Sequence, residues 1–567
     1  MIADPPNGSA EPDAADLMAD SVRLDLGPTE LDGSATPASM RAVIGRAAVI
    51  ILAATVVGRI LGLVRDQVVA YYFGAGAATD AFFLAYKIPY LLSLTIGGAL
   101  TATFIPMFTQ RLVAGHKKQA WDLSVSMTNA IGLVMLLITA ALILAAPFIV
   151  PVFGFGFPAS TAGKAVLLFR ILMPGVIFTG IAGLATGILN SLKSFALPAF
   201  SVSIGAAATI AFVVVFHGSW GIESLAWGTT VGALVSLVVL FPLMRKRGMR
   251  YRPRIDWNMP GMREVGMLVW PILIGSAVGK VSIFVDQTLA STLGEGAVSA
   301  LSYSEKLFQL PLGLFVAGIT IPTFPLLSEY VAAKQPEKLK VTLHFGMRVI
   351  AFVMVPASVG LIVLRTPIIA LLFQHGAFTA QATAQTSWAL LFYSLGLYSY
   401  AGRDTLTRVF YAYHDTRTPV RISVIAVVVN IAVSATLMLF IGVGGLALGT
   451  TIALTLNMVV LMELLRRKLG PMGFGKMARS FVGILAASTL MGFVVWGVDL
   501  TLAHSLASGA LGLGVRVAVG VVGGGALFTG SAAVLKLPEL REVLDMLRSV
   551  VRRSGPEGQD KAALRRR

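Results

Sequence analysis

The sequence predicts an all-α polytopic membrane protein of about 14 transmembrane helices, and three observations predict it. Of its 567 residues, 56% are apolar and only 13% charged, with a mean hydropathy of +0.80. Lipid rather than water is the natural solvent of such a chain. Apolar runs of roughly 20 residues, the length that crosses a ~30 Å hydrocarbon core, recur from near Ala42 to near Leu535. The second half also repeats the first: Asp66-Gln67 matches Asp286-Gln287, Ala70 matches Ala290, and Gly74 to Ala77 match Gly294 to Ala297 at a constant offset of 220 residues. Lys87 and Pro89 are answered by Lys306 and Pro311, and Pro198 by Pro419. A repeat this long is far beyond solenoid periods and suits the two halves of a transporter. Backbone groups in lipid need internal partners, which runs of this length provide as helices rather than barrel strands.

In order along the chain, residues 1–40 are rich in Asp, Glu, Pro, Gly and Ser, hold too little apolar material to pack, and read as a disordered cytoplasmic tail. They lack the basic start of a signal peptide. Spans are expected near 42–63, 81–109, 123–150, 165–190, 196–216 and 222–244 in a first lobe, residues 41–250. They follow near 265–290, 299–328, 342–364, 383–411, 419–441 and 444–465 in a second lobe, residues 251–470. Two more, near 480–500 and 509–535, fill residues 471–537, and residues 538–567 form a basic cytoplasmic tail whose amphipathic start suits an anionic inner leaflet. Pro89, Gly97, Gly98 and Pro106 predict a bent second span, as Pro311, Gly313, Gly318, Pro322 and Pro325 do in its repeat mate.

Lys and Arg set the orientation, because short loops rich in them stay in the cytoplasm. Arg111, Lys117 and Lys118, the run from Arg245 to Arg254, Lys334 to Lys340, Arg417 with Arg421, and Arg466 to Lys468 fall in alternate loops, while the intervening loops carry almost none. An even number of spans then places both termini in the cytoplasm, and the net charge of +17 follows from this asymmetry. Nucleic acid is not an expected partner, because the cations sit at span ends with no soluble domain to organise base readout. The absence of cysteine excludes disulfides, thiolate metal sites and a cysteine nucleophile. The six histidines are scattered without zinc spacing, and no Walker phosphate loop occurs, so no enzyme chemistry, metal centre or ATP coupling is expected.

Charge inside the apolar runs is costly and marks function by default. The first half carries Arg59, Arg65, Asp66, Asp80 and Lys87; the second carries Lys280, Asp286, Glu305 and Lys306, with Arg403, Asp404 and Arg408 later. Arg59 and Lys280 lie about two turns inside their spans, where snorkelling is harder than at the margin. Each has two readings: an ion pair within the bundle, or the wall of a polar cavity that receives an anion. An amphiphile with an anionic head and a lipid-bound tail suits the second.

The run VGRILGLVRDQVVAYYFGAGAATDAFFLAYKIP, the segment LPLGLFVAGITIPTFPLLS after Ser304-Glu305-Lys306, and FYAYHDTRTPV closely resemble the MurJ/MviN group of the multidrug/oligosaccharidyl-lipid/polysaccharide exporter superfamily over residues 42–535. The resemblance implies two pseudosymmetric six-helix lobes plus two C-terminal helices. It implies a flippase that moves lipid II, the undecaprenyl-pyrophosphate-linked disaccharide-pentapeptide precursor of peptidoglycan, from the inner to the outer leaflet of the bacterial cytoplasmic membrane by alternating access. Membrane lipids and cell-wall synthesis enzymes are the implied partners. The implied substrate-binding set is Arg59, Arg65, Asp80, Lys87, Lys280, Glu305 and Lys306. A sodium site is implied at Asp286, Asn430, Ser434 and Thr450, with the membrane potential as the other driver. Two departures stand out: Ser93-Leu94 replaces an Arg-Arg pair, and Ser304-Glu305-Lys306 replaces Ala-Asp-Arg. The alternatives are an exporter of another polyprenyl-linked glycan or of a drug, and a non-transporting scaffold for cell-wall synthesis.

Overall fold

A computed structural model describes residues 37–257, 281–313, 317–470, 474–506 and 509–545. Every regular element among them is helical. In chain order they are α1 (Pro37–Phe73), α2 (Ala77–Val113), α3 (Lys117–Phe153), α4 (Ala159–Leu172), α5 (Pro174–Ser191), α6 (Ala196–Trp220), α7 (Glu223–Val238), α8 (Phe241–Lys246) and α9 (Val281–Ala290). After one 3₁₀ turn come α10 (Ala297–Pro311), α11 (Ala317–Ala332), α12 (Pro336–Phe373), α13 (Ala380–Leu395), α14 (Leu397–Ala412), α15 (Arg417–Ile441), α16 (Val443–Leu469), α17 (Phe474–Ser505) and α18 (Ala510–Val534). Nine stretches among the described residues are long and apolar enough to cross a membrane, so the chain is a multi-pass membrane protein.

Several expected single spans are two helices end to end. The run 165–190 divides at Met173 before Pro174, and 383–411 divides at Gly396. Proline lacks the N–H that an unbroken ladder needs at that point, and glycine lowers the cost of leaving helical geometry. Pro89 and Pro106, by contrast, lie inside the 37-residue helix α2.

The chain forms two compact units. The first comprises residues up to Val69, Ala85–Ile149 and Ala165–Ala277. Here α6 and α7 lie close enough for Thr209 Oγ1 to donate to the Gly228 carbonyl at 3.0 Å and Ser236 Oγ to that of Ser201 at 3.0 Å. Thr230 Oγ1 donates to Ile171 O at 2.8 Å, tying α7 to the end of α4. Hydroxyls bonded to backbone carbonyls join helices in lipid without burying an unmatched polar group.

The second unit comprises Ala70–Leu84, Val150–Lys164 and everything from Val278. One cluster joins Leu364 of α12, Met491 of α17 and Phe528 of α18; another joins Leu327 of α11, Met347 of α12, Phe410 of α14 and Leu461 of α16. The start of the expected basic tail belongs to this unit. Residues 538–545 are helical, and Leu537, Leu540 and Val543 pack on the first cluster. Glu539, fully buried, pairs with Arg348 of α12 at 2.7 Å and accepts from Ser480 of α17; Glu542 pairs with the same guanidinium at 2.7 Å. These residues therefore dock on protein, where amphipathicity alone suggested the lipid surface.

Candidate functional site

The repeat is written into the packing of the second unit. Thr79 and Ser299, 220 positions apart, meet through their hydroxyls at 2.9 Å, and Phe83 and Tyr303, again 220 apart, stack edge to face with centroids 5.2 Å apart. Asp80 stands beside these pairs and is almost fully buried. Its Oδ2 accepts from the Gly296 N–H at 2.6 Å, and its Oδ1 accepts from the Ser299 N–H at 2.7 Å and the Ser299 hydroxyl at 2.6 Å. Those amides open α10 and have no partner within the helix. The family acid of the second span is thus an N-cap supplied from 216 residues away. The glycine before it is fixed just as tightly. Gly74 has φ +65°, and a Cβ there would lie 2.4 Å from the Ala377 carbonyl oxygen.

Lys306 lies in this unit too, its ammonium 4.8 Å from the ring centre of Phe83 and 5.5 Å from that of Tyr303. The aromatic faces hold the cation where its arginine counterpart would offer a planar fork. Glu305 accepts from Gln309 Nε2 at 3.0 Å.

The implied substrate-binding cations of the first unit sit on α1 and α2. Arg59 is half-buried on α1. One and a half turns on, Arg65 pairs with Asp66, Nη2 to Oδ1 at 3.0 Å, and Tyr86 is the other group facing its guanidinium. Asp66 is the more deeply buried partner, its side chain 8% exposed against 27% for that of Arg65. Lys87 is half-buried one residue beyond Tyr86. Where the resemblance places an arginine pair, Ser93 Oγ accepts from Thr179 Oγ1 at 2.7 Å and joins α2 to α5. Lys280 lies outside the described residues.

The four residues of the implied cation site are brought together. Asp286 of α9 accepts from Thr450 Oγ1 of α16 at 2.8 Å and from Ser434 Oγ of α15 at 3.5 Å. Asn430 Nδ2 donates to Ser434 Oγ at 3.2 Å and to Thr450 Oγ1 at 3.3 Å. Asn430 Oδ1 is buried without a hydrogen-bond partner, and Asn430 itself is 2% exposed. A carboxylate and two hydroxyls converge here, oxygen donors of the kind that hard cations take, while Asn430 turns its amide nitrogen to the hydroxyls. Gly449 makes the convergence possible. A Cβ there would lie 2.2 Å from Ser434 Oγ, so only glycine lets α16 approach α15 this closely.

Sequence reasoning missed Thr79, Phe83, Ser299 and Tyr303 as contacts. The repeat offset of 220 contained the signal, since residues beside a pseudo-twofold axis meet their own mates.

The family model described as "Lipid II flippase MurJ" matches residues 69–515. The chain belongs to the MurJ family. A "Probable lipid II flippase MurJ" of Vibrio cholerae is 33% identical over 470 residues, covering 80% of this chain and 88% of that protein. A "Lipid II flippase MurJ" of Burkholderia cenocepacia is 30% identical, covering 78% and 88%. Among solved structures, "Lipid II flippase MurJ, inward closed conformation" superposes with a TM-score of 0.72 at 26% identity over 88% of this chain and all of that one. An inward-facing MATE transporter of the MOP superfamily has the same fold at 15% identity, with a TM-score of 0.64 over 75% of this chain. The MurJ family is one of transporters, not enzymes.

Proposed function

We propose that this protein flips lipid II from the inner to the outer leaflet of the bacterial cytoplasmic membrane by alternating access, with both termini in the cytoplasm. The observation that carries this reading is the family match across residues 69–515, in a chain that keeps Arg59 and Arg65 on α1. Both arginines suit the headgroup pyrophosphate, because a guanidinium fork donates two parallel hydrogen bonds to phosphate oxygens. Arg65 keeps its charge beside Asp66 and Tyr86. Arg59, Lys87 and Lys306 add positive charge, and Lys280 is a further candidate. Asp80 acts on this reading as a positioning residue, because its two oxygens hold the start of α10 and so the helix that carries Lys306.

Asp286, Asn430, Ser434 and Thr450 would hold a sodium ion, which supplies a charge whose binding differs between two conformations. A ligand shifts such an equilibrium only through unequal affinity for the two states. The membrane potential is the second candidate driver, at about 2.3 kcal/mol per elementary charge per 100 mV. Partner enzymes of cell-wall synthesis belong to the same reading, since they consume the flipped precursor.

Lipid II binding to purified protein tests the reading, with undecaprenyl phosphate and an unrelated anionic lipid as controls. Selective binding of lipid II, lost in Arg59→Ala and weakened in Lys306→Ala, is the expected result. Equal binding of every anionic lipid, unchanged by either substitution, would replace lipid II with another cargo.

A further inference from the structure

In the first unit, the segment after α8 reads Arg250-Tyr251-Arg252-Pro253-Arg254-Ile255 and runs without helix. Asn129 of α3 pins it, Nδ2 donating to the carbonyls of Arg252 at 2.8 Å and Arg254 at 3.0 Å. Tyr251, Pro253 and Ile255 line a groove of about 600 Å³ with Gly132, Ile181 and Phe241, and Arg250, Arg252 and Arg254 are exposed beside it. With Arg245, Lys246 and Arg247, six bases face one acid, Asp256, between residues 245 and 256. The result is an apolar slot with a cationic rim.

The chain carries a complementary segment. Residues 1–36, which lie outside the described residues, hold eight acids and one base, Arg23. Within them Ala14, Leu17, Met18 and Val22 fall at helical spacing between Asp13, Asp16, Asp20 and Asp25. The segment enters α1, which turns at residues 74–76 into α2 and at 114–116 into α3, so it starts at the same end of the unit as α3. Arg247 Nη2 donates to Ser194 Oγ at 2.8 Å, which joins the basic segment to the turn between α5 and α6 at that same end. The ten residues 27–36, which link residues 13–26 to α1, have a root-mean-square reach of about 16–19 Å if flexible, and hold that stretch at millimolar effective concentration. Weak contacts then suffice for occupancy.

We propose that residues 13–26 dock in this groove, with Leu17, Met18 and Val22 in the slot and the aspartates on the arginine rim. The acidic segment thereby covers a cationic surface on the side of the basic loops. This inference does not depend on which cargo the protein moves.

The chain has no cysteine, so one introduced pair reports proximity without background. Full-length protein carrying Val22→Cys and Ile255→Cys, in nanodiscs of zwitterionic lipid, is compared with Val22→Cys and Val113→Cys, where Val113 is an 84% exposed site at the end of α2. The expected result is intramolecular disulfide formation about ten-fold faster in the groove pair, falling to the control rate in Asp13→Asn/Asp16→Asn/Asp20→Asn/Asp25→Asn and at high salt. Equal rates for the two pairs, or a groove rate that survives loss of the four aspartates, would overturn the proposal. Loss of the crosslink when anionic phospholipid replaces half of the nanodisc lipid would also overturn it and give the groove to lipid. Monodisperse elution of each variant confirms that any change comes from docking and not from unfolding.

Discussion

Among the described residues, four non-glycine residues adopt left-handed backbone conformations: Lys193 (φ 60°), Lys334 (φ 53°), His414 (φ 57°) and Lys536 (φ 53°). Each follows a helix end, and the next N–H closes back on that helix, as from Ser194 to Leu189 O and from Leu537 to Ala532 O. Glycine is the usual residue there, and an L side chain costs about 1–2 kcal/mol. A cation at this point faces the last carbonyls and the negative end of the helix dipole, which offsets part of that cost. Lys193→Gly should therefore raise the thermal midpoint in detergent and Lys193→Ala should not; equal effects would show that charge, not backbone, governs the position. At Asp415, hydrogen bonds from the Thr418 N–H at 3.0 Å and hydroxyl at 2.9 Å cap α15 and hold the carboxyl below its ordinary range. A depressed folded value contributes stability above the unfolded pKa of about 3.9, and loses it as pH falls through the folded value. Asp415→Ala should thus lower the midpoint at neutral pH but converge with the parent as pH drops below that range. The motif FYAYHDTRTPV is in this part a helix-start signal.

Among elements, α15 and α16 depend on one missing side chain. Gly449→Ala places a methyl group where Ser434 Oγ and backbone stand, so the helices must separate. The expected cost is about 1–3 kcal/mol, and separation also disperses the oxygens around Asp286. Sodium-dependent stabilisation should fall in Gly449→Ala and vanish in Asp286→Asn, as read from thermal midpoints with sodium against choline. No difference between the two salts in the parent protein would remove the cation site. The start of α10 depends on a cap from another element. Asp80→Asn keeps the shape but loses the charge-assisted bonds to two amides, and should cost about 1–3 kcal/mol. An unchanged midpoint would show that the Ser299 hydroxyl and the N-terminal amides find other acceptors.

At the scale of the whole molecule, Arg59→Ala should abolish support of cell-wall synthesis at normal abundance, while Asp80→Asn should lose activity in step with stability. That contrast separates a residue that meets cargo from one that positions a helix. If Arg59→Ala supports growth fully at parental abundance, the anion-cavity reading fails. Arg59→Lys should fall between, since it keeps the charge and loses the fork.

The sequence by itself determined the all-helical membrane class, because lipid permits few ways to satisfy a backbone and because 56% apolar composition leaves no aqueous alternative. It also carried the repeat, the suspect charges and, through the family pattern, the three residues grouped with Asp286, namely Asn430, Ser434 and Thr450. What it could not supply was the partner of each polar group, since partners in a bundle are separated by whole helices. Asp80 reads as one more intramembrane acid until Gly296 and Ser299 are seen to donate to it. Residues 538–545 read as a lipid-surface helix until Arg348 and Ser480 are found holding Glu539. The cost of burying charge is local and legible along the chain; its compensation arises between distant segments, and only the tertiary structure decides it.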